Sequence, residues 1–144
     1  MYGAGAEMSL VRDAMVPDPL ALEASASARE AGEALARPEV RAVLVVRDGI
    51  FAGVITRKTL VSAVVATGRD PNTTTLGEIM EDPHFTIDSA MELDSAFAFL
   101  EEHDLERVPV VDDGKLVGVL SRAVIQRRLA EDEPPPETEL VEET

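Results

Sequence analysis

Apolar positions recur with two different periods along this chain, and each period occurs twice. Small or apolar residues lie at positions i, i+3, i+4 and i+7 over residues 28–35 and again over residues 93–100, which predicts two helices with one buried face each. After each helix, two apolar β-branched runs are joined by Asp-Gly, over residues 43–55 and 108–120. Such a turn needs positive φ, which glycine adopts without steric cost. The pattern therefore predicts a helix followed by a β-hairpin, twice.

The second half of the pattern is a repeat of the first. Residues 11–60 align with residues 76–125 without a gap, and eleven of the fifty aligned pairs are identical. A short extended stretch precedes each first helix, and a second helix follows each hairpin, at about 57–66 and 122–130. The sequence thus predicts an α+β fold in which two β-α-β-β-α units pack with pseudo-twofold symmetry into one module.

The repeat also predicts how the chain is divided. We expect an N-terminal extension over residues 1–10, a first repeat over 11–66, a linker rich in turn formers over 67–75, a second repeat over 76–130 and a disordered acidic tail over 131–144. A single unit would leave apolar side chains uncovered on its last helix. We expect the packing of the two units to cover Val61, Val64, Val65, Val124 and Ile125.

Charge changes the picture at the C-terminal end. The formal net charge is −15, and seven of the 28 acids but none of the 13 bases lie after Ala130, so the preceding residues carry −8. A segment rich in proline and glutamate buries too little apolar surface to offset its ordering entropy, and we interpret it as a solvated tail rather than a dedicated binding motif. The negative charge of the residues up to Ala130 argues against nucleic acid as a partner, because the phosphates of a nucleic acid need a basic protein surface.

Composition excludes further classes of function. The chain has no cysteine, hence no disulfide framework and no thiol nucleophile, and we expect a cytoplasmic protein. No apolar run approaches the roughly 20 residues of a membrane span, so we expect no membrane partner. His84 and His103 lack the spacing of a metal site, and no serine, lysine or carboxylate pair lies in a catalytic context, so we predict that the chain is not an enzyme.

Several paired motifs resemble the CBS (cystathionine-β-synthase-type) domain. Residues 15–19 and 80–83 resemble the start of a CBS repeat, residues 108–112 its central strand, and residues 53–58 and 118–122 its glycine-to-hydroxyl motif. The resemblance implies a stand-alone tandem pair that forms a homodimer and acts on an unknown effector protein in trans. It also implies clefts between the repeats that bind AMP, ADP, ATP or S-adenosylmethionine as a regulatory ligand, with no cofactor required.

The polar candidates for such a site lie where each hairpin ends. Thr56 and Ser121 each open a helix, where unpaired backbone N–H groups favour an anion, and either hydroxyl can bind a phosphate, cap its helix or do both. Arg57, with Lys58 beside it, and Arg122 follow these hydroxyls. A cation at a helix N-terminus opposes the helix dipole, so we expect an anionic partner for each arginine, either a ligand phosphate or a nearby carboxylate.

The resemblance places the base against apolar strand residues. These are Leu22, Val43 and Leu44 in one cleft and Ile87, Val108 and Pro109 in the other, and each of them reads equally well as a core residue.

Family members that bind nucleotides carry a ribose-binding aspartate where this chain has Thr59 and Val124. We therefore expect the cleft with Thr59 to bind if only one does. The alternative function is a ligand-free dimerisation or docking module with degenerate nucleotide sites.

Overall fold

The structure, a computed structural model, describes residues 9–132 of the chain. Most of the expected N-terminal extension and all but the first two residues of the expected acidic tail lie outside the described residues. In chain order the helices are α1 Val11–Ala14, α2 Ala28–Leu35, α3 Arg57–Leu60, α4 Leu76–Ile79, α5 Leu93–Glu102 and α6 Arg122–Asp132. The strands are β1 Val16–Pro17, β2 Ala21–Glu23, β3 Val43–Arg47, β4 Ile50–Ile55, β5 Ile87–Asp88, β6 Arg107–Asp112 and β7 Lys115–Ser121.

Both predicted hairpins are confirmed. Asp48 and Gly49 have φ values of 53° and 84°, and Asp113 and Gly114 have 55° and 82°, which is the two-residue turn with positive φ at both central positions. β3 pairs antiparallel with β4, and β6 with β7. The short strands β2 and β5 pair in parallel with β3 and β6.

The two repeats join into one sheet at the tips of their hairpins. The strand order is β2-β3-β4-β7-β6-β5, and β4 meets β7 where Ile50 lies opposite Lys115. The amide of Phe51 donates to the carbonyl of Gly114 at 3.1 Å, and the amide of Leu116 donates to the carbonyl of Gly49 at 3.2 Å. These contacts are reciprocal between aligned positions, which confirms the predicted α+β module with pseudo-twofold symmetry.

Each repeat is completed by the opening segment of the other. β1 leaves its own repeat and pairs antiparallel with β7, and at the aligned place Glu81 forms a bridge with Val54. The short helices cross in the same way. Val11 and Ala14 of α1 lie in the core of the second repeat, whereas Leu76 and Ile79 of α4 lie in the core of the first.

The expected burial of the last helix of each repeat is wrong at two positions. Val64 and Ile125 are buried and Val124 is half-buried, but Val61 and Val65 remain 58% and 71% exposed. The helix expected over residues 57–66 is α-helical only to Leu60, and residues 61–65 form a π-helical turn in which the amide of Ala66 donates to the carbonyl of Val61 at 2.8 Å. The packing of the two repeats therefore leaves these two valines uncovered.

Candidate functional site

A cleft of about 650 Å³ lies between the two repeats. Its volume falls in the range of small-molecule sites, roughly 300–1,000 Å³. It is lined by Val16, Pro19, Leu20, Glu39, Val40, Arg41, Ala42, Leu44, Val54, Arg107, Val108, Pro109, Val119 and Ser121. Most of these side chains are apolar, and both repeats contribute.

The cleft combines residues that the sequence assigned to two separate sites. Leu44 and Pro109 occupy aligned positions at the start of β3 and β6 and line the same cleft. Ser121 joins them from the end of β7, and Val16 from the crossing strand β1. The exchange of opening segments causes this mixing, because β1 of the first repeat runs along β7 of the second.

Two arginines give this cleft its positive charge. The side chains of Arg41 and Arg107 form no hydrogen bond or ion pair with any residue from 9 to 132, although Glu39 lies in the same lining. Reasoning from the repeat missed both arginines because it sought features shared by the two copies: Arg41 aligns with Glu106, and Arg107 with Ala42. The signal that they share is a basic residue directly before an apolar run or one residue removed from it, at Val108 and Val43.

Ser121 is the predicted hydroxyl that reaches the cleft. Its Oγ accepts a hydrogen bond from the amide of Val124 at 3.1 Å, so it acts as the cap of α6. A serine hydroxyl carries one donor in addition to its acceptor sites. Among the described residues none accepts the Ser121 proton, so the hydroxyl can cap the helix and donate to a ligand at the same time.

The aligned hydroxyl, Thr56, lies in a closed polar network instead. Its Oγ1 accepts from the amide of Thr59 at 3.3 Å, its amide donates to Thr59 Oγ1 at 3.0 Å, and the two hydroxyl oxygens are 3.1 Å apart. Thr59, only 1% exposed, donates its own proton to Glu81 Oε2 at 3.0 Å. The Thr56 proton is then directed to Thr59, and the network ends on a carboxylate that repels a phosphate.

The arginines at the helix starts are also engaged. Arg57 Nη2 donates to the carbonyl of Arg37 at 2.9 Å. Arg122 donates through Nε at 3.1 Å and Nη2 at 2.9 Å to the carbonyl of Leu105. Ion-pair contacts to the exposed carboxylates of Asp104 and Glu106, at 3.6 Å and 3.8 Å, add little in water. Arg122 therefore has a nearby carboxylate, one of the two anionic partners that the sequence suggested. The partner that the structure gives for Arg57 is a backbone carbonyl, and the neighbouring Lys58 is solvent-exposed.

The apolar candidates divide between core and cleft. Val43, Ile87 and Val108 are at most 3% exposed and belong to the hydrophobic cores, although Val108 also borders the cleft. Leu22 packs against the core of the first repeat. Their role in ligand binding stays a prediction, and Leu44 and Pro109 are the two whose position in the cleft supports it best.

Aromatic side chains gather on the second repeat around Phe85. The ring centroids of Phe85 and His103 are 4.6 Å apart, and those of Phe99 and His103 are 4.5 Å apart. Phe85 aligns with Leu20, which lines the open cleft. The two sides of the pseudo-twofold axis therefore differ in chemistry.

Comparison with known proteins identifies the fold. The family model described as CBS domain matches residues 11–66 and 76–131. Hypoxic response protein 1 of Mycobacterium tuberculosis is 36% identical over 84 residues, which are 58% of this chain and 59% of that protein. A crystal structure of Hypoxic Response Protein I with two coordinated zinc ions has a TM-score of 0.70 at 28% identity and covers 83% of this chain and 98% of that one.

Two further relatives extend the comparison. The CBS domain-containing protein YhcV of Bacillus subtilis is 28% identical over 114 residues, 79% of this chain and 81% of that protein. A crystal structure of CBSX2 in complex with AMP has a TM-score of 0.68 at 25% identity and covers 85% of this chain and 97% of that one.

Residues 9–132 contain neither a candidate metal cluster nor a candidate membrane span. No group of three or more His, Cys, Asp or Glu there is placed to hold a metal ion, and no helix there is long and apolar enough to cross a bilayer.

Proposed function

Because the chain belongs to the CBS-domain family as a tandem pair of repeats, we propose that this regulatory module binds an adenosine-containing phosphate ligand in the 650 Å³ cleft. The observation that carries the proposal is the lining itself, in which apolar walls surround two guanidinium groups and one hydroxyl proton that no residue from 9 to 132 engages. The AMP complex of CBSX2 supports an adenine nucleotide as the ligand class. The module would signal through an effector protein whose identity the chain does not specify.

The proposed ligand pose follows from the chemistry of the lining. The apolar side chains of Leu44 and Pro109 suit the face of a purine. Arg41 and Arg107 suit the phosphate, because a guanidinium binds phosphate oxygens through two N–H donors at once. Ser121 supplies one further donor from the start of α6.

The sequence suggested that the cleft with Thr59 binds the ligand if only one cleft does. The proposal favours the cleft with Ser121 instead. The carboxylate of Glu81 accepts the Thr59 proton and would repel a phosphate there. In the Ser121 cleft, position 124 is valine and offers no ribose contact, so we expect modest affinity. Adenosine specificity would then come from the base and phosphate contacts.

The same lining supports binding rather than turnover. It contains two arginines, one glutamate and one serine, and the serine hydroxyl has no histidine or lysine in the lining to activate it. A second copy of the chain is the partner we propose for the exposed valines of the π-helical turn, Val61 and Val65.

The experiment is ligand titration by calorimetry and thermal unfolding with AMP, ADP, ATP and S-adenosylmethionine. We expect at least one phosphate ligand to raise the melting temperature. Arg41→Gln or Arg107→Gln should weaken its affinity about 10- to 100-fold, the loss expected for a hydrogen bond to a charged group.

The matched control is Arg57→Gln, since the Arg57 side chain binds a backbone carbonyl outside the cleft lining. It should change the ligand affinity by less than about twofold. A chain that no ligand stabilises would instead favour the docking module without a nucleotide, for which the absence of a ribose carboxylate at Val124 is the supporting feature.

A further inference from the structure

We propose that the acidic segment 133–144 of this chain docks in the same cleft and competes with the phosphate ligand. The docking rests on the cleft and the sequence alone, whereas the competition rests on the proposed function. The segment would act as an internal occupant of the site, so that ligand binding releases it for contact with other molecules.

The lining of the cleft is complementary to a segment that contains both carboxylates and apolar side chains. Arg41 and Arg107 have no ion-pair partner among the described residues, and Leu20, at 40% exposure, adds apolar surface at the same lining. The candidate arginines at the helix starts, Arg57 and Arg122, differ in this respect, because their side chains already donate to backbone carbonyls. An anion attracted to this face therefore finds two available guanidinium groups in one apolar depression.

The segment has the complementary composition. Residues 133–144 contain five glutamates and no basic residue. Leu140 and Val141 lie between Glu139 on one side and Glu142 and Glu143 on the other. An apolar pair flanked by carboxylates matches apolar walls flanked by arginines, which a purely solvating tail would not require.

The connection is long enough. Ser121 lies in the cleft and α6 follows it for 11 residues, a rise of about 16 Å at 1.5 Å per residue. The eight residues from Asp132 to Leu140 span up to about 26 Å when extended, at roughly 3.3 Å each. The chain can therefore turn back along α6 and bring Leu140 to the cleft.

The net negative charge of the residues up to Ala130 restricts where the acidic segment can dock. Residues up to Ala130 carry −8, so most of the surface repels the segment. In the cleft, the acidic segment is attracted only when it lies close to Arg41 and Arg107, because screening limits Coulomb interactions to about 8 Å at physiological ionic strength. The contact should accordingly weaken as salt is raised.

The docking can be tested without any nucleotide. The chain has no cysteine, so Thr144→Cys gives one attachment point for a nitroxide spin label in the full-length protein. We expect selective broadening of the amide signals of Leu20, Leu44 and Val119, with little effect at the hairpin tips Gly49 and Gly114. The combined change Glu139→Gln, Leu140→Ser, Val141→Ser and Glu142→Gln should abolish the selective broadening.

The matched control replaces glutamates nearer the helix, Glu133→Gln and Glu137→Gln, and should preserve the broadening. Absent or uniform broadening overturns the docking. Broadening that arises only between a labelled and an isotope-enriched copy overturns its intramolecular form.

Competition is measured separately with AMP and ATP. A segment tethered at an effective concentration of about 1 mM lowers the apparent ligand affinity several-fold when its intrinsic dissociation constant lies below that concentration. The combined tail variant should therefore bind the nucleotide several-fold more tightly than the unchanged chain. Equal affinities overturn the competition. Selective broadening in a chain that binds no nucleotide upholds the docking and overturns the proposed function.

Discussion

Two glycines, Gly53 and Gly118, lie directly against the opening segment of the other repeat. A Cβ atom at Gly118 would stand 2.6 Å from Sδ of Met15 and 2.9 Å from the carbonyl oxygen of Val16. At Gly53 the corresponding distances to Met80 and Glu81 are 2.6 Å and 2.9 Å. Because the neighbours include backbone, a side chain cannot be accommodated by a rotamer change alone. The identity of these glycines in both copies follows from the crossing of the opening segments.

Gly118→Ala should therefore destabilise the protein by about 1–3 kcal/mol, the usual cost of overpacking. Gly32→Ala is the matched control, because its Cβ would meet only Leu60 Cδ1 at 3.7 Å, an ordinary contact. In the middle of α2 that change should stabilise the protein, by up to about 1 kcal/mol. Urea unfolding of both variants measures the change in the free energy of unfolding, which should be opposite in sign for the two. Equal effects would show that the Gly118 contact is not tight.

The sequence predicted the helix-capping hydroxyls better than it predicted the charged residues that line the cleft. Thr56 and Ser121 stand at helix starts in both copies, and the structure finds each bonded to the amide three residues on. The engagement of Thr59 by Glu81 was not predictable, because it joins residues 22 positions apart that meet only through the exchanged segments. Arg41 and Arg107 were missed for a different reason, because a comparison of the copies hides residues that differ between them.

At the level of elements, local signals decided the helices and strands well. The predicted α2 begins at Ala28 and is capped by Ser27, whose Oγ accepts a hydrogen bond from the amide of Glu30 at 3.2 Å, while the Glu30 carboxylate accepts one from the Ser27 amide at 3.2 Å. The π-helical turn after α3 had no sequence signal, since Val61–Val65 follow a normal apolar pattern. As a consequence of this turn, Val61 and Val65 are exposed, although the alignment predicted that they are buried.

That pair supports a second copy of the chain as the occupant of this surface. Val61→Asp combined with Val65→Asp should convert a dimer to a single copy in sedimentation velocity, because charged side chains in an apolar contact are costly. Ile50→Asp is the control, since Ile50 is 45% exposed at the hairpin tip, away from the π-helical turn. An unchanged chain that sediments as one copy contradicts the dimer.

For the whole molecule, neither repeat contains all of its own core. Leu76 and Ile79 are 0% and 8% exposed inside the first repeat, although they follow it in the chain. Burying two such side chains contributes about 3–6 kcal/mol, a large part of the 5–15 kcal/mol that stabilises a typical domain. The boundaries drawn from the alignment, 11–66 and 76–130, describe repeats of sequence, and we propose that neither folds alone.

Expression of residues 1–70 and 71–144 as separate chains tests this directly. Each fragment lacks the segment that closes its core, so each should show no cooperative thermal unfolding by circular dichroism, and mixing should restore it in a 1:1 complex. Leu76→Ala in the second fragment should weaken the complex, because Leu76 fills the core of the first. A fragment that unfolds cooperatively as a monomer would instead make each repeat an independent domain. The cleft would then lie at an interface able to open, rather than inside one cooperative unit.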